Sequence, residues 1–152
     1  MGRILEGIKK FFVADDWKFE ENAEDSFLRT SFKGKDGAWR CIARGREQQE
    51  QFIYYSIPEA NVPEPRRAAI AEFITRANYG MIIGNFELDF SDGEVRYKTS
   101  VDFEGSEVTD AVVKQVVYAN VYTMDRYYAG ILAVAFGGKD PTEAIAEIEN
   151  AG

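Results

Sequence analysis

Asn85-Phe86-Glu87-Leu88-Asp89-Phe90, then Ser91-Asp92-Gly93-Glu94, then Val95-Arg96-Tyr97-Lys98-Thr99-Ser100-Val101-Asp102-Phe103 reads as two alternating strands around a turn. Apolar and polar residues alternate with period two on both arms, the pattern of strands with one buried and one solvated face. Asp92-Gly93 suits a type I′ turn, whose two central residues both need positive φ. With those residues as the loop, Asp89 falls opposite Arg96 and Glu87 opposite Lys98, while Phe90, Leu88 and Phe86 fall opposite Val95, Tyr97 and Thr99. Opposite charges facing each other on a solvated sheet are ordinary strand pairing, worth roughly 0.2–1 kcal/mol each. That reading absorbs Glu87 and Asp89, the one carboxylate pair that would otherwise suggest acid–base work or a divalent cation.

Upstream the texture is the same. Short aromatic and β-branched runs separated by turn residues predict strands at 17–21, 26–33, 38–45 and 51–57. Gly34-Lys35-Asp36-Gly37 connects the second and third, and a tight hairpin puts Leu28, Thr30 and Phe32 on the same face as Trp39, Cys41 and Ala43. Cys41 is then a small buried hydrophobe rather than a nucleophile.

Helices flank these strands. Ile4, Leu5, Ile8, Phe11 and Phe12 follow helical spacing over 1–14, and Ile70, Phe73, Ile74 and Ala77 do so over 65–79 before Gly80. A long third helix starts near Thr109 and ends at Gly137-Gly138. Asp140-Pro141 opens a fourth, with the cap and first-turn proline such starts favour. The expectation is an α+β fold in one domain over 1–152, with an antiparallel sheet of five to six strands and helices packed on one face.

Composition narrows function. The 152 residues carry 18 Lys and Arg against 26 Asp and Glu, a net charge of −8 that repels phosphate backbones and anionic lipids, so neither nucleic acid nor membrane is an expected partner. Histidine is absent, which removes the commonest general base near neutral pH and the most versatile metal ligand. The lone cysteine excludes an internal disulfide and fits a reducing, cytoplasmic setting. Glu6, Lys9 and Lys10 break the N-terminal apolar run, so no signal-peptide core is expected, and Glu6 stands where a myristoylation motif needs Ser or Thr. The acidic group near Glu20 to Asp25 lacks calcium-loop spacing, and no glycine pattern cradles phosphate. No catalytic, cofactor-binding or metal-ligating residues are expected.

The third helix carries two apolar stripes. Val113, Val116, Val117, Met124, Tyr127, Tyr128 and Ile131 form one side, with Asn120 among them. Roughly opposite stand Tyr118, Tyr122, Ala129, Leu132 and Phe136, interrupted by Asp125. Such a helix is either central in the core or pressed against something else, and tyrosines with few charges are the composition of an interface core. These five residues are the candidate interface.

Ala77-Asn78-Tyr79-Gly80, Ile83-Gly84-Asn85-Phe86-Glu87-Leu88-Asp89, Asp92-Gly93-Glu94-Val95-Arg96-Tyr97-Lys98, Met124-Asp125-Arg126-Tyr127 and Pro141-Thr142-Glu143-Ala144-Ile145 together resemble the YbjN-domain family of bacteria. The resemblance runs from the first strand to about residue 148. It implies a fold similar to type III secretion chaperones, subunits that pair as homodimers, and a label of sensory-transduction regulator that names no ligand. The function expected is a non-enzymatic binding or regulatory module, chaperone-like or adaptor-like, engaging a protein partner through an exposed sheet face or the tyrosine-rich helix. The alternatives are a small-molecule sensor, which needs an apolar cavity, and an enzyme relying on Asp or Glu chemistry.

Overall fold

Leu28, Ala43, Tyr54 and Thr99 stand side by side across four strands, and Thr30, Cys41, Ser56 and Tyr97 form the next row. All eight are buried, so one face of the sheet is core. The computed structural model describes residues 2–151, and Met1 and Gly152 of the expected domain lie outside the described residues. Its sheet is wholly antiparallel: β1 (Glu20–Asn22), β2 (Phe27–Lys33), β3 (Ala38–Arg46), β4 (Gln51–Ile57), β5 (Asn85–Leu88) and β6 (Val95–Asp102), in the order β1-β2-β3-β4-β6-β5. Four helices complete the α+β fold: α1 (Arg3–Ala14), α2 (Arg67–Asn78), α3 (Asp110–Phe136) and α4 (Pro141–Asn150). On the core face α1 covers β2 to β4, α3 lies over β4 and β6, and α2 packs on β5. From outside, α4 rests on α2 and α3.

The helix ends are secured partly by neighbours and partly by distant residues. Thr109 and Asp140 accept from the backbone N–H groups of Val112 and Glu143, the N-caps of α3 and α4. Helix α1 begins after Gly2, which has no capping side chain, and Glu47 from the β3–β4 turn supplies it. Its two carboxylate oxygens accept from Ile4 N and Leu5 N at 3.0 and 2.9 Å, where a negative charge also suits the helix dipole. At the other end of α3, Arg66 donates to the carbonyls of Val134 and Lys139 at 2.8 and 2.9 Å.

The core contains a short polar seam. The Asn120 amide, fully buried, donates to the carbonyls of Tyr54 and Tyr97 and to the Thr99 hydroxyl at 2.9, 3.1 and 3.1 Å. The Thr99 hydroxyl in turn donates to Val116 O at 2.8 Å. Nearby, the Trp39 indole donates to Ser56 Oγ at 2.9 Å, with Cys41 Sγ 3.7 Å from the same oxygen. Burial pushes the Cys41 thiol up to about 11, which suits a core residue and not a nucleophile.

Two sequence expectations are corrected. The β5–β6 register is two residues away from the one a two-residue Asp-Gly loop dictates: Glu87 faces Arg96, Leu88 faces Val95 and Phe86 faces Tyr97. Asp89 and Phe90 belong to the connection, so Asp89 does not face Arg96, and Phe90 is exposed. The cause is local hydrogen bonding. Asp89 Oδ1 accepts from the backbone and hydroxyl of Ser91, Asp92 Oδ1 accepts from Glu94 N, and Gly93 N donates to Asp89 O, closing a wider turn. The first strand is also shorter and later than 17–21. Trp17 and Phe19 instead pack on Phe12, at ring-centroid distances of 5.2 and 5.7 Å.

The seam and the buried thiol yield two expected outcomes. Asn120→Asp sets a carboxylate against two carbonyls in the core, so urea unfolding should show a loss of about 3 kcal/mol or more, easing at acid pH as the new acid takes up a proton. Cys41 should resist a thiol reagent in the native protein and react only in denaturant, which labelling followed by mass spectrometry would read.

Candidate functional site

Between α2 and β5 the chain makes a loop whose course is fixed at both ends. Asn78 Oδ1 accepts from Phe86 N at 2.7 Å and its Nδ2 donates to Phe86 O at 3.1 Å, so one side chain pairs with β5 as a strand residue would. Met81 N donates to Asn78 O at 3.0 Å, and the Tyr97 hydroxyl donates to Ile83 O at 2.5 Å. Gly84 has φ +78°, and a Cβ there would stand 2.5 Å from Lys98 O, so only glycine passes this point. The held backbone nonetheless turns Tyr79, Ile82 and Ile83 outward, 91%, 90% and 56% exposed.

Tyr122 on α3 adjoins this loop. With Ile82, Ile83 and Arg126 it lines an open groove of about 320 Å³, and its own side chain is 60% exposed. Large apolar groups displayed together on a secured backbone are the composition of a recognition surface. The sequence analysis did not single out Ile82, although the flanking Gly80 and Gly84 mark a loop where the apolar run alone suggests core.

The other predicted interface residues are distributed along α3. Tyr118 is half-buried, edge-on to Trp17 at 6.0 Å and 5.3 Å from the Tyr122 ring. Ala129 lines a separate groove of about 580 Å³ against α4 with Lys35, Lys139 and Glu147. Leu132 is half-buried against the core, and Phe136 is 51% exposed near the helix end. Asp125, which interrupts the stripe, accepts from Lys35 N at 2.9 Å and ties the β2–β3 loop to the helix.

Among the titratable groups, the carboxylates that shift do so downward, toward the ionised form. Burial pulls Glu87 up, but hydrogen bonds from Arg96 and Lys98, at 2.7 and 3.1 Å, outweigh it. The Ser91 hydroxyl and backbone N–H lower Asp89. The Tyr118 hydroxyl, donating at 2.5 Å, lowers Asp15 against the upward pull of burial, with help from the Trp17 indole. Ionised carboxylates held by donors are poor proton carriers near neutral pH. Among the described residues no cluster of three or more carboxylate or thiol groups is placed to hold a metal ion, and no helix is long and apolar enough to cross a membrane.

Comparison with known proteins places this geometry. A family model described as "Putative bacterial sensory transduction regulator" matches residues 5–133. The crystal structure of YbjN from E. coli is similar, with a TM-score of 0.62 at 12% identity, over 82% of this chain and 91% of that one. The HopA1-SchA chaperone-effector complex matches with a TM-score of 0.49 at 12% identity, over 78% of this chain and 88% of that one. No curated protein matches the sequence. At 12% identity, what the E. coli structure establishes is a shared fold.

The Asp15–Tyr118 bond gives a pH signature. The lowered Asp15 pKa contributes stability that is present above its ordinary value of 3.8 and lost as pH falls through the lower folded value. Burial, then Asp15, pushes Tyr118 up to about 12 from 10.0, so its contribution is full below pH 10 and lost as pH rises toward 12. Tyr118→Phe should therefore cost about 1 kcal/mol at neutral pH and flatten the dependence of the urea midpoint on pH at both extremes.

Proposed function

The chain belongs to the YbjN family, and from that premise we propose that it is a single-domain, non-enzymatic regulatory or chaperone-like module that acts by binding protein, as a homodimer in the bacterial cytosol. The observation that carries the reading is the apolar surface of Tyr122 with Ile82 and Ile83. Its side chains are more than half exposed in the single chain, and its backbone is restrained beforehand, so little conformational entropy remains to be lost when a partner covers it. The family's description as a sensory transduction regulator supports a role in recognition. The donor-held, ionised carboxylates support the same reading, and the lone, unpaired Cys41 fits the reducing compartment it assumes.

A second copy is the proposed occupant of this surface. An isologous contact brings the same patch from both subunits together, so Tyr122 and Ile82 each count twice in the interface. Sedimentation equilibrium at tens of micromolar should give a dimer for the native chain and a monomer for an Ile82→Asp, Tyr122→Asp variant with an unchanged circular dichroism spectrum. Both side chains are exposed, so neither substitution disturbs the core. A native chain that sediments as a monomer removes the homodimer, and a variant that stays dimeric removes this surface from it.

A further inference from the structure

The helices pack on the other face of the sheet, and the face turned away from them has a chemistry unlike that of the rest of the molecule. Five of the ten arginines project from it: Arg29, Arg40, Arg44, Arg46 and Arg96. With Lys33 and Lys98 it bears seven cations against four carboxylates, those of Glu20, Glu87, Glu94 and Asp102. The remainder of the chain then holds eleven cations and twenty-two carboxylates. A protein of net charge −8 thus presents one positive face on an otherwise strongly negative body.

The cations are arranged in rows. Strand β4 runs between β3 and β6 and contributes Ile53, Tyr55 and Ile57 to this face, with Ile42 beside Tyr55. Arg40 and Arg44 stand opposite Ile57 and Ile53 on the β3 side, and Lys98 stands opposite Tyr55 on the β6 side. The result is a furrow of about 530 Å³ walled by cations, with Ile42 and Ile53 on its floor, the Tyr55 ring beneath the Arg96 guanidinium at 4.4 Å, and Ile57 buried at one end. Two strand spacings of about 4.8 Å separate the walls by about 10 Å, which is the diameter of an α-helix.

Some of these cations are already engaged. Arg40 meets Glu94 at 3.3 Å, and Glu87 accepts from both Arg96 and Lys98. Arg44 and Arg46 differ. Arg44 lies over the Phe27 ring at 5.6 Å and Arg46 donates to Gln51 at 2.8 Å, and neither meets a carboxylate among the described residues.

We propose that this furrow is a docking site for an acidic amphipathic helix of a partner protein, its apolar stripe along β4 and its carboxylates on the Arg44–Arg46 side. Charge complementarity selects the occupant. A second copy of this face would bring arginines against arginines, and a nucleic acid entering the furrow would meet the carboxylates of Glu87 and Glu94 and the acidic body around it. The site lies on the opposite side of the sheet from Tyr122, so it stands or falls independently of the dimer.

The test uses a fluorescein-labelled synthetic helix with leucines at i, i+3, i+4 and i+7 flanked by glutamates, read by fluorescence anisotropy against the full chain. Saturable binding that weakens with added salt is expected, together with a loss of about tenfold or more in R44E/R46E and no more than about twofold in K114E, a charge reversal on an exposed α3 position. Arg44 and Arg46 are exposed, and an unchanged thermal midpoint would confirm that the double variant folds. Absence of saturation at about 100 μM peptide would overturn the proposal. So would equal binding by a scrambled peptide of the same composition, or tighter binding of poly(U) RNA, which would make the face a nucleic-acid surface.

Discussion

A single side-chain amide sets the rotation of the longest helix. Asn120 donates to backbone oxygens of both β4 and β6, and Thr99 reaches up to the carbonyl of Val116 one turn earlier. One rotation and one height of α3 bring the Asn120 Nδ2 group, the Thr99 hydroxyl and three backbone carbonyls into hydrogen-bonding range inside an apolar core, while Asn120 Oδ1 is left without a partner among the described residues. With Asn120 directed at the sheet, helical geometry turns Tyr118 and Tyr122 away from it, since each is two residues and about 200° removed. The seam also lies where β6 returns beside β4 after α2 and β5 have intervened, so it holds together two halves of the sheet that are distant in sequence.

Much of this was legible because the information was local or periodic. Period-two alternation assigned strand faces correctly, and the β5–β6 register, although displaced, left the paired residues of both strands on their expected faces because the displacement is two residues; Phe90, beyond the end of β5, is the exception. The turn itself misled because Asp89 reads as a strand charge and Asp92-Gly93 as a two-residue loop, while in the structure both carboxylates act as acceptors within a wider turn. Trp17 and Phe19 looked like strand residues by composition, but their partner is the Phe12 ring on α1, a contact that no strand pattern encodes. The α1 cap was invisible for a simpler reason: Glu47 is separated from Ile4 by 43 residues.

The candidate site was less legible than the fold. A stripe of apolar residues on a helix says that one side avoids water, and only the packed structure divides that stripe. It assigns Tyr118 to a cluster with Trp17, leaves Tyr122 at the surface and puts Leu132 against the core. The loop preceding β5 shows the converse. Met81, Ile82 and Ile83 read as an apolar run, and their exposure follows from constraints that act on backbone: the Asn78 side chain, the Tyr97 hydroxyl and the steric demand at Gly84.

Net charge was the bluntest of the sequence signals. A value of −8 describes solubility and the field at a distance, where contributions from all sides merge. At contact range, within a Debye length of about 8 Å, a partner meets one face at a time. Strand alternation is the device that lets one face depart from the average, because β2 and β3 can place Arg29, Arg40, Arg44 and Arg46 outward while sending only uncharged residues into the core. The same period-two pattern that builds the core therefore sorts charge, and a face with no helix on it preserves the result.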